Sequence, residues 1–171
     1  MDHDALLCKF CAYAVWPTLC TFCDSHLRCR TCCVSVGGVR SKTYTASSDI
    51  TQGSDLGPLL FSIFVTDLAP DIQHSHLLQY ADNIQLSRVV SSPSDCALLQ
   101  RDIDHVTSLC LRNKLKINSA AMKIYHFLRQ SNITGLYYYC NNTAVCHIDS
   151  VQHFGVTFDA KLYFDEHIAS L

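Results

Sequence analysis

The sequence predicts an α+β fold, in which packed helices cover a mainly antiparallel sheet. One long segment has apolar residues at three- and four-residue spacing, which is the pattern of a helix that buries one face. That apolar stripe consists of Leu99, Ile103, Val106 and Cys110. Elsewhere, short apolar segments are separated by turn residues, and Gly37-Gly38 is a typical two-residue hairpin signal. The 171 residues are enough to enclose a core.

Two helices and a hairpin are predicted in the first third of the chain. Residues 5–15 are apolar on nearly every face, which predicts a buried helix that Trp16-Pro17 ends. A second short helix is expected over residues 19–28. Strands are expected at residues 34–36 and 39–46, on either side of the glycine pair.

The middle of the chain predicts two helices that flank a second hairpin. Asp55 is a candidate cap for a helix over residues 56–69, with Pro58 tolerated in its first turn. Short strands at 77–78 and 84–86 enclose a tight turn, and Ser94 is a candidate cap for the helix that runs to Arg112. Further strands are expected at residues 114–117, 123–128, 136–140, 144–148 and 152–158.

The composition is apolar for a soluble domain and has no basic excess. Hydrophobic residues make up 49% of the chain and charged residues 16%, whereas about a quarter is usual. We therefore expect part of the surface to be covered by a partner. The formal net charge of -2 does not favour independent binding of nucleic acid.

The chain is expected to be intracellular. Its N-terminus has no basic region of the secretory type, and its longest apolar run, residues 59–65, is too short to span a bilayer. No membrane partner is therefore expected, and the 11 cysteines are expected to be free thiols.

Two segments could carry chemistry. The first, residues 50–61, is a polar loop with Gly53 that enters an apolar helix, where backbone amides could approach a phosphate. The second is Leu78-Gln-Tyr-Ala-Asp-Asn83, where Asp82 is a candidate magnesium ligand because hard cations take carboxylate oxygen. Read alone, the first segment is better explained as a capped helix with a flexible entry, and the second as a hairpin with turn-favouring Asp and Asn.

In this order the two segments resemble the reverse transcriptases of non-LTR, LINE-type and jockey-like retrotransposons. Those enzymes carry a "SGVPQGSxLGPLLF" loop, an "INDL" segment and a "YADD" hairpin. The matching segments here are Ser48-Asp-Ile-Thr-Gln-Gly-Ser54, Leu56-Gly-Pro-Leu-Leu-Phe61, Val65-Thr-Asp-Leu68 and Tyr80-Ala-Asp-Asn83. Similar segments continue with Leu99-Gln-Arg-Asp102, Asn113-Lys-Leu-Lys-Ile-Asn118, Phe154-Gly-Val-Thr-Phe-Asp159 and His167-Ile168, and Asp2-His-Asp-Ala-Leu-Leu7 looks like the stretch after the first catalytic motif.

The resemblance implies an incomplete polymerase palm with the start of a thumb, without the fingers or the first catalytic motif. Residues 1–128 would be the partial palm, and residues 129–171 would be strand hairpins and the start of the thumb or connection. The family reaction is RNA-directed DNA synthesis on an RNA template from a DNA primer, with Mg²⁺ as cofactor.

By the same resemblance, Asp82 is the metal ligand and Asn83 is its degenerate neighbour. Tyr80 and Ala81 would lie near the incoming nucleotide or the primer end. Template and nucleotide would be positioned by Gln52, Gly53 and Ser54.

Four departures from the family pattern predict a copy that is inactive by itself. The first catalytic motif belongs upstream of Asp2, and its Asp is absent from these residues. Asn83 stands where the family has a second Asp, Ala121 where it often has Lys, and Asp49 where it usually has Gly. Activity would therefore need missing polymerase segments supplied by another chain.

A zinc site is the competing interpretation of the N-terminal region. Three Cys-x-x-Cys pairs could bind zinc in a non-catalytic interaction module: Cys8 and Cys11, Cys20 and Cys23, and Cys29 and Cys32. Cysteines three residues apart on an apolar helix also repeat for packing reasons, and we prefer that interpretation because no Gly or Pro knuckle lies between them.

Overall fold

A computed structural model describes residues 1–28, 30–46, 48, 50, 53–127, 137–153 and 155–171. The first helix, α1, spans His3–Ala12, and the Asp2 carboxylate caps it by accepting the Ala5 amide at 2.9 Å. It ends before residue 15, because Ala14 has a φ of 53° and the Val15 amide turns back to the Phe10 carbonyl.

The second helix, α2, spans Pro17–Leu27, with the proline in its first turn. Proline is well suited there because its nitrogen has no proton to leave unpaired. The prediction for α1 is corrected in one respect, since the helix is not buried on every face. Leu6 and Phe10 are buried, whereas Cys8 and Cys11 are exposed.

The third helix, α3, spans Leu56–Val65 and continues as a 3₁₀ turn, Thr66–Asp71, rather than as one helix to residue 69. The predicted cap at Asp55 is wrong, because Asp55 already has helical angles and its side chain makes no capping hydrogen bond. The Ser54 hydroxyl accepts the Gly57 amide at 3.1 Å instead.

These three helices enclose the first core cluster. Its buried members are Leu6, Phe10, Cys23, Leu27, Leu60, Phe64 and Val65. The α3 residues are the most apolar segment of the chain, so they lie where two other helices can cover them.

The fourth helix, α4, spans Pro93–Arg112, and the predicted apolar stripe is confirmed by the burial of Ile103, Val106 and Cys110, while its first member, Leu99, is half-buried. Ser92 caps it rather than Ser94: Ser92 and Asp95 form a reciprocal capping box around Pro93 at the helix start. The buried face of α4 and the 3₁₀ turn form a second core cluster, which consists of Leu68, Val106, Leu109 and Cys110.

Residues 114–117, which were predicted as a strand, instead begin with the turn that terminates α4. Lys114 has a φ of 55°, and the Leu115 amide donates to the Cys110 carbonyl at 2.7 Å. This is a Schellman termination. The alternation that suggested a strand is real, since Leu115 and Ile117 face the core, and Leu115 packs against both clusters.

The strands of the described residues form separate two-stranded pairs, and no larger sheet joins them. Five pairs are antiparallel: β1 (Arg30–Cys32) with β4 (Tyr44–Ala46), β2 (Ser35–Val36) with β3 (Val39–Arg40), β5 (His76–Tyr80) with β6 (Asn83–Ser87), β8 (Tyr139–Cys140) with β9 (Thr143–Ala144), and β11 (Ser150–His153) with β12 (Val156–Asp159). A parallel pair joins β7 (Lys123–Tyr125) and β10 (Cys146–Ile148). The predicted antiparallel preference is confirmed, but as small sheets.

The chain ends in a short helix, α5, at Asp165–Ala169. The predicted end of one strand at residue 128 and the start of another at 136 lie outside the described residues, as does Phe154. None of the helices in the described ranges is both long and apolar enough to cross a bilayer.

The capping box predicts a pH dependence of stability. Arg88 donates to Asp95 at 2.8 Å, and this bond, followed by those from Ser92 and the Ser91 amide, holds the pKa of Asp95 well below its usual range. A carboxylate with a lowered pKa stabilises the folded state above its unfolded pKa of about 4, and the contribution disappears as pH falls toward the folded pKa. The melting temperature should therefore decrease below about pH 4.

An Asp95→Asn variant isolates this contribution from those of other carboxylates. The difference in melting temperature between the parent and Asp95→Asn should be largest near neutral pH and shrink in acid, and at neutral pH it should exceed the difference caused by Asp104→Asn at an exposed position of the same helix. Equal pH profiles for the parent and Asp95→Asn would contradict the assignment.

Candidate active-site hairpin

The hairpin of β5 and β6 presents Asp82 at its tip. Tyr80 pairs with Asn83, so the loop consists only of Ala81 and Asp82. Ala81 has a φ of 51°, in the left-handed region that costs a residue with a Cβ on the order of 1 kcal/mol. The Gln79 side-chain amide donates to the Ala81 carbonyl at 3.3 Å and braces the turn. Asp82 and Asn83 are both exposed to solvent.

The base of the hairpin is fixed by packing, while its tip projects from the core. Leu77 and Leu86 are cross-strand partners, and both pack against the second core cluster on α4. On the opposite face, Leu78 and Tyr80 are 55% and 64% exposed. The alternation therefore anchors one face and leaves the other open to a partner.

Arg88 ties the end of the hairpin to the start of α4. Its guanidinium donates to Asp95 at 2.8 Å and to the carbonyl oxygen of His74, the residue that leads into β5. Because both ends of the hairpin meet at this side chain, Arg88 fixes the hairpin's direction relative to α4.

A buried carboxylate on α4 holds the entry to the hairpin. Asp102 is fully buried and accepts the amides of Gln73 and His74 at 3.3 and 3.0 Å. Sequence reasoning matched Asp102 to a family segment but gave it no role. The signal was available, since an acidic residue three positions after Leu99 and four before Val106 lies on the apolar face.

The polar loop enters α3 through Gly53 and Ser54. Gly53 has a φ of 79°, and the site of its missing Cβ has open space around it. The glycine is therefore needed for its backbone angle and not for close approach of the residues described here. Ser54 caps α3. Gln52 and Asp49 lie outside the described residues.

The family-like segment Val65-Thr-Asp-Leu68 is joined to α1 by Lys9. The Lys9 side chain is only 13% exposed, and its ammonium donates to Asp67 at 2.8 Å and to the carbonyl oxygen of Phe64. The same ammonium lies 4.6 Å from the centre of the Phe64 ring. This link was missed from sequence because it joins positions far apart in the chain.

The inward position of Lys9 determines where the first cysteine pair of α1 points. Lys9 and Phe10, which lie between Cys8 and Cys11, turn inward, whereas the two cysteines face solvent. Burial raises the pKa of the Cys23 thiol, which favours its protonated form. Cys29 lies outside the described residues, and within those that are described no three His, Cys, Asp or Glu side chains are grouped to hold a metal. Zinc binding stays a prediction.

Comparison with known proteins gives the family. A family model described as reverse transcriptase (RNA-dependent DNA polymerase) matches residues 1–158. The chain is also similar to the RNA-directed DNA polymerase from mobile element jockey of Drosophila melanogaster, at 27% identity over 164 residues. That match covers 91% of this chain and 18% of the relative's length. The resemblance inferred from the motifs is thereby confirmed, and the chain belongs to the reverse transcriptase family.

Proposed function

We propose that this chain is part of a jockey-like polymerase palm whose Asp82 is the metal-binding carboxylate for RNA-templated DNA synthesis, and that this copy does not catalyse the reaction alone. The observation that carries the proposal is the hairpin tip, where a two-residue turn exposes Asp82 beside Asn83. Residues 1–128 would contribute the palm and residues 129–171 the start of the thumb or connection.

The oxygen donors at the hairpin tip fit a magnesium ion, but they carry little negative charge. The Asp82 carboxylate and the Asn83 amide oxygen are hard donors, which Mg²⁺ accepts. A pair of such ions, when bound, would supply activation of the primer hydroxyl and stabilisation of the leaving group. One carboxylate and one neutral amide supply a single negative charge, so this tip fits one weakly held ion and needs a further carboxylate for two.

The remaining residues have positioning roles in this proposal. Tyr80 and Ala81 precede the metal ligand and would lie near the incoming nucleotide or primer end. Gly53 and Ser54, with Gln52, would contact template and nucleotide from the entrance to α3. Template RNA and primer DNA are accordingly the proposed partners.

Primer extension on an RNA template, with Mg²⁺ or Mn²⁺, tests the proposal. The purified chain should give no extension, and Asp82→Ala should give none either. Loss of one metal ligand in such a site costs at least about 100- to 1,000-fold in rate. Extension by the parent that disappears in Asp82→Ala would show a completed site and contradict the proposed inactivity.

A metal-binding readout tests Asp82 itself. Mn²⁺ at the hairpin should broaden the NMR signals of Ala81 and Asn83, and Asp82→Ala should abolish that broadening. Asn83→Asp should strengthen it by adding a second carboxylate, whereas Asp104→Ala on α4 is the control and should leave it unchanged. Broadening that survives Asp82→Ala would remove Asp82 as the ligand.

A further inference from the structure

The segment between α2 and the Gly53 loop forms an exposed β-ribbon, residues 30–46. The pairs β1–β4 and β2–β3 continue each other along this ribbon, which turns at Gly37-Gly38. From Thr31 to Thr45 its residues are exposed, with Cys32 as the half-buried exception. The ribbon is rooted on α2, because the Arg30 guanidinium donates to the Leu27 carbonyl at 3.1 Å.

A β-bulge lies between the two strand pairs of the ribbon. Cys32 pairs with Tyr44 and Ser35 with Arg40, so Lys42 and Thr43 together oppose Cys33. The Ser41 hydroxyl closes the bulge by accepting the Val34 amide at 3.0 Å. Bulges of this kind shift which side chains share a face.

The alternation of strand residues then assigns the faces. One face is hydrophilic and combines Arg40 with the hydroxyl residues Thr31, Ser35 and Thr45. The other face carries the apolar Val36 and Val39, which are 73% and 75% exposed, together with Arg30 near the base of the ribbon. The ribbon thus has one face with Arg40 and hydroxyl groups and one on which Val36 and Val39 are exposed.

Positive charge is concentrated on this part of a chain whose net charge is negative. No acidic residue lies between Asp24 and Asp49, whereas Arg28, Arg30, Arg40 and Lys42 all do. Arg28 is neutralised by Asp4 and Asp24. In contrast, Arg40 and Lys42 form no ion pair within the described residues. Their charge is therefore available to an external anion.

We propose that the hydrophilic face of this ribbon binds the sugar–phosphate backbone of the nucleic acid. Arginine, lysine and hydroxyl side chains are the common donors to phosphate, and an unpaired cation on an exposed ribbon gains by releasing counterions from a polyanion. A protein partner is less favoured for this face, because lysine and serine are depleted in protein interfaces. The inference rests on the proposed function, since that supplies the template–primer duplex as ligand.

Fluorescence anisotropy of a labelled RNA–DNA hybrid, without divalent metal, tests the ribbon. The parent should bind with strong salt dependence. Arg40→Ala/Lys42→Ala should weaken binding by about tenfold and lower the slope of log affinity against log salt by about 2. Arg101→Ala/Lys123→Ala is the matched control. Both residues are exposed and lie on other elements, and their substitution removes the same charge. That control should change affinity by less than about twofold.

Further variants make the outcome decisive. Arg40→Lys/Lys42→Arg keeps the charge and should retain affinity, and unchanged far-UV circular dichroism would show that all variants fold. Equal losses in the ribbon variant and the control, or no binding by the folded parent, would overturn the proposal. A third result would also overturn it: hybrid binding that is unaffected in Arg40→Ala/Lys42→Ala, together with self-association of the chain through Val36 and Val39. The ribbon would then be a protein contact. Because hybrid binding is measured without divalent metal and metal binding is measured by Mn²⁺ broadening at the hairpin, failure of the metal proposal is distinguishable from failure of this one.

Discussion

Replacing Asp102 with alanine is expected to lower the free energy of unfolding by about 3 kcal/mol. The carboxylate is fully buried and accepts the amides of Gln73 and His74. Alanine would leave both amides without an acceptor and create a small cavity beside the apolar stripe of α4. Because those amides precede β5, hydrogen exchange should also accelerate at the base of the hairpin.

Urea unfolding measures this effect, and Asp104→Ala is the matched control. Asp104 is exposed on the same helix, and among the described residues it accepts a hydrogen bond only from the Gln100 side-chain amide, so its loss should cost under about 1 kcal/mol. Asp102→Asn should fall between the two, because an amide can accept one of the two bonds but not both. An Asp102→Ala protein as stable as Asp104→Ala would remove Asp102 as the anchor of the hairpin.

Truncation of Phe64 should cost more, about 4 kcal/mol. Phe64 is fully buried in the first core cluster, and its ring also contacts the Lys9 ammonium. Phe64→Ala therefore removes a large apolar side chain and its cation–π contact together. A chain of this size can lose most of its folding free energy to that single change.

Leu59→Ala supplies the comparison for Phe64. Leu59 lies on the same helix but is 56% exposed, so its truncation should cost under about 1 kcal/mol in the same urea experiment. Similar midpoints for the two variants would mean that α3 does not pack as described. Retained far-UV circular dichroism in Phe64→Ala at low temperature would show that the loss is one of stability and not of secondary structure.

Local patterns predicted the elements that depend on neighbours in sequence. The hairpin around Ala81 and Asp82 and the stripe on α4 were both recovered, because turn preference and helical periodicity act over a few residues. The cap of α4 was misassigned by two positions, since Ser91, Ser92 and Ser94 all flank Pro93. Proline's preference for the first helical position decides for Ser92.

The alternation of apolar residues after α4 predicted correctly which side chains are buried, but not that the segment lacks a strand partner. Leu115 and Ile117 alternate toward the core as expected, but the preceding left-handed residue gives them a helix termination in place of a strand partner. The side-chain links that position the site were missed for a different reason. Lys9 with Asp67, and Asp102 with the Gln73 amide, join residues that only tertiary folding brings together.

The bulge opposite Cys33 contributes one residue that the pairing of the ribbon does not require. Removing a single residue from positions 41–43 would leave two residues on each strand between the Cys32–Tyr44 and Ser35–Arg40 pairs, which is a continuous ladder. Arg40 would stay across from Ser35, and only the local twist and bend of the bulge would be lost. Homologous copies that lack one residue between the glycine turn and Tyr44 should therefore keep Arg40 on the hydroxyl side of the ribbon.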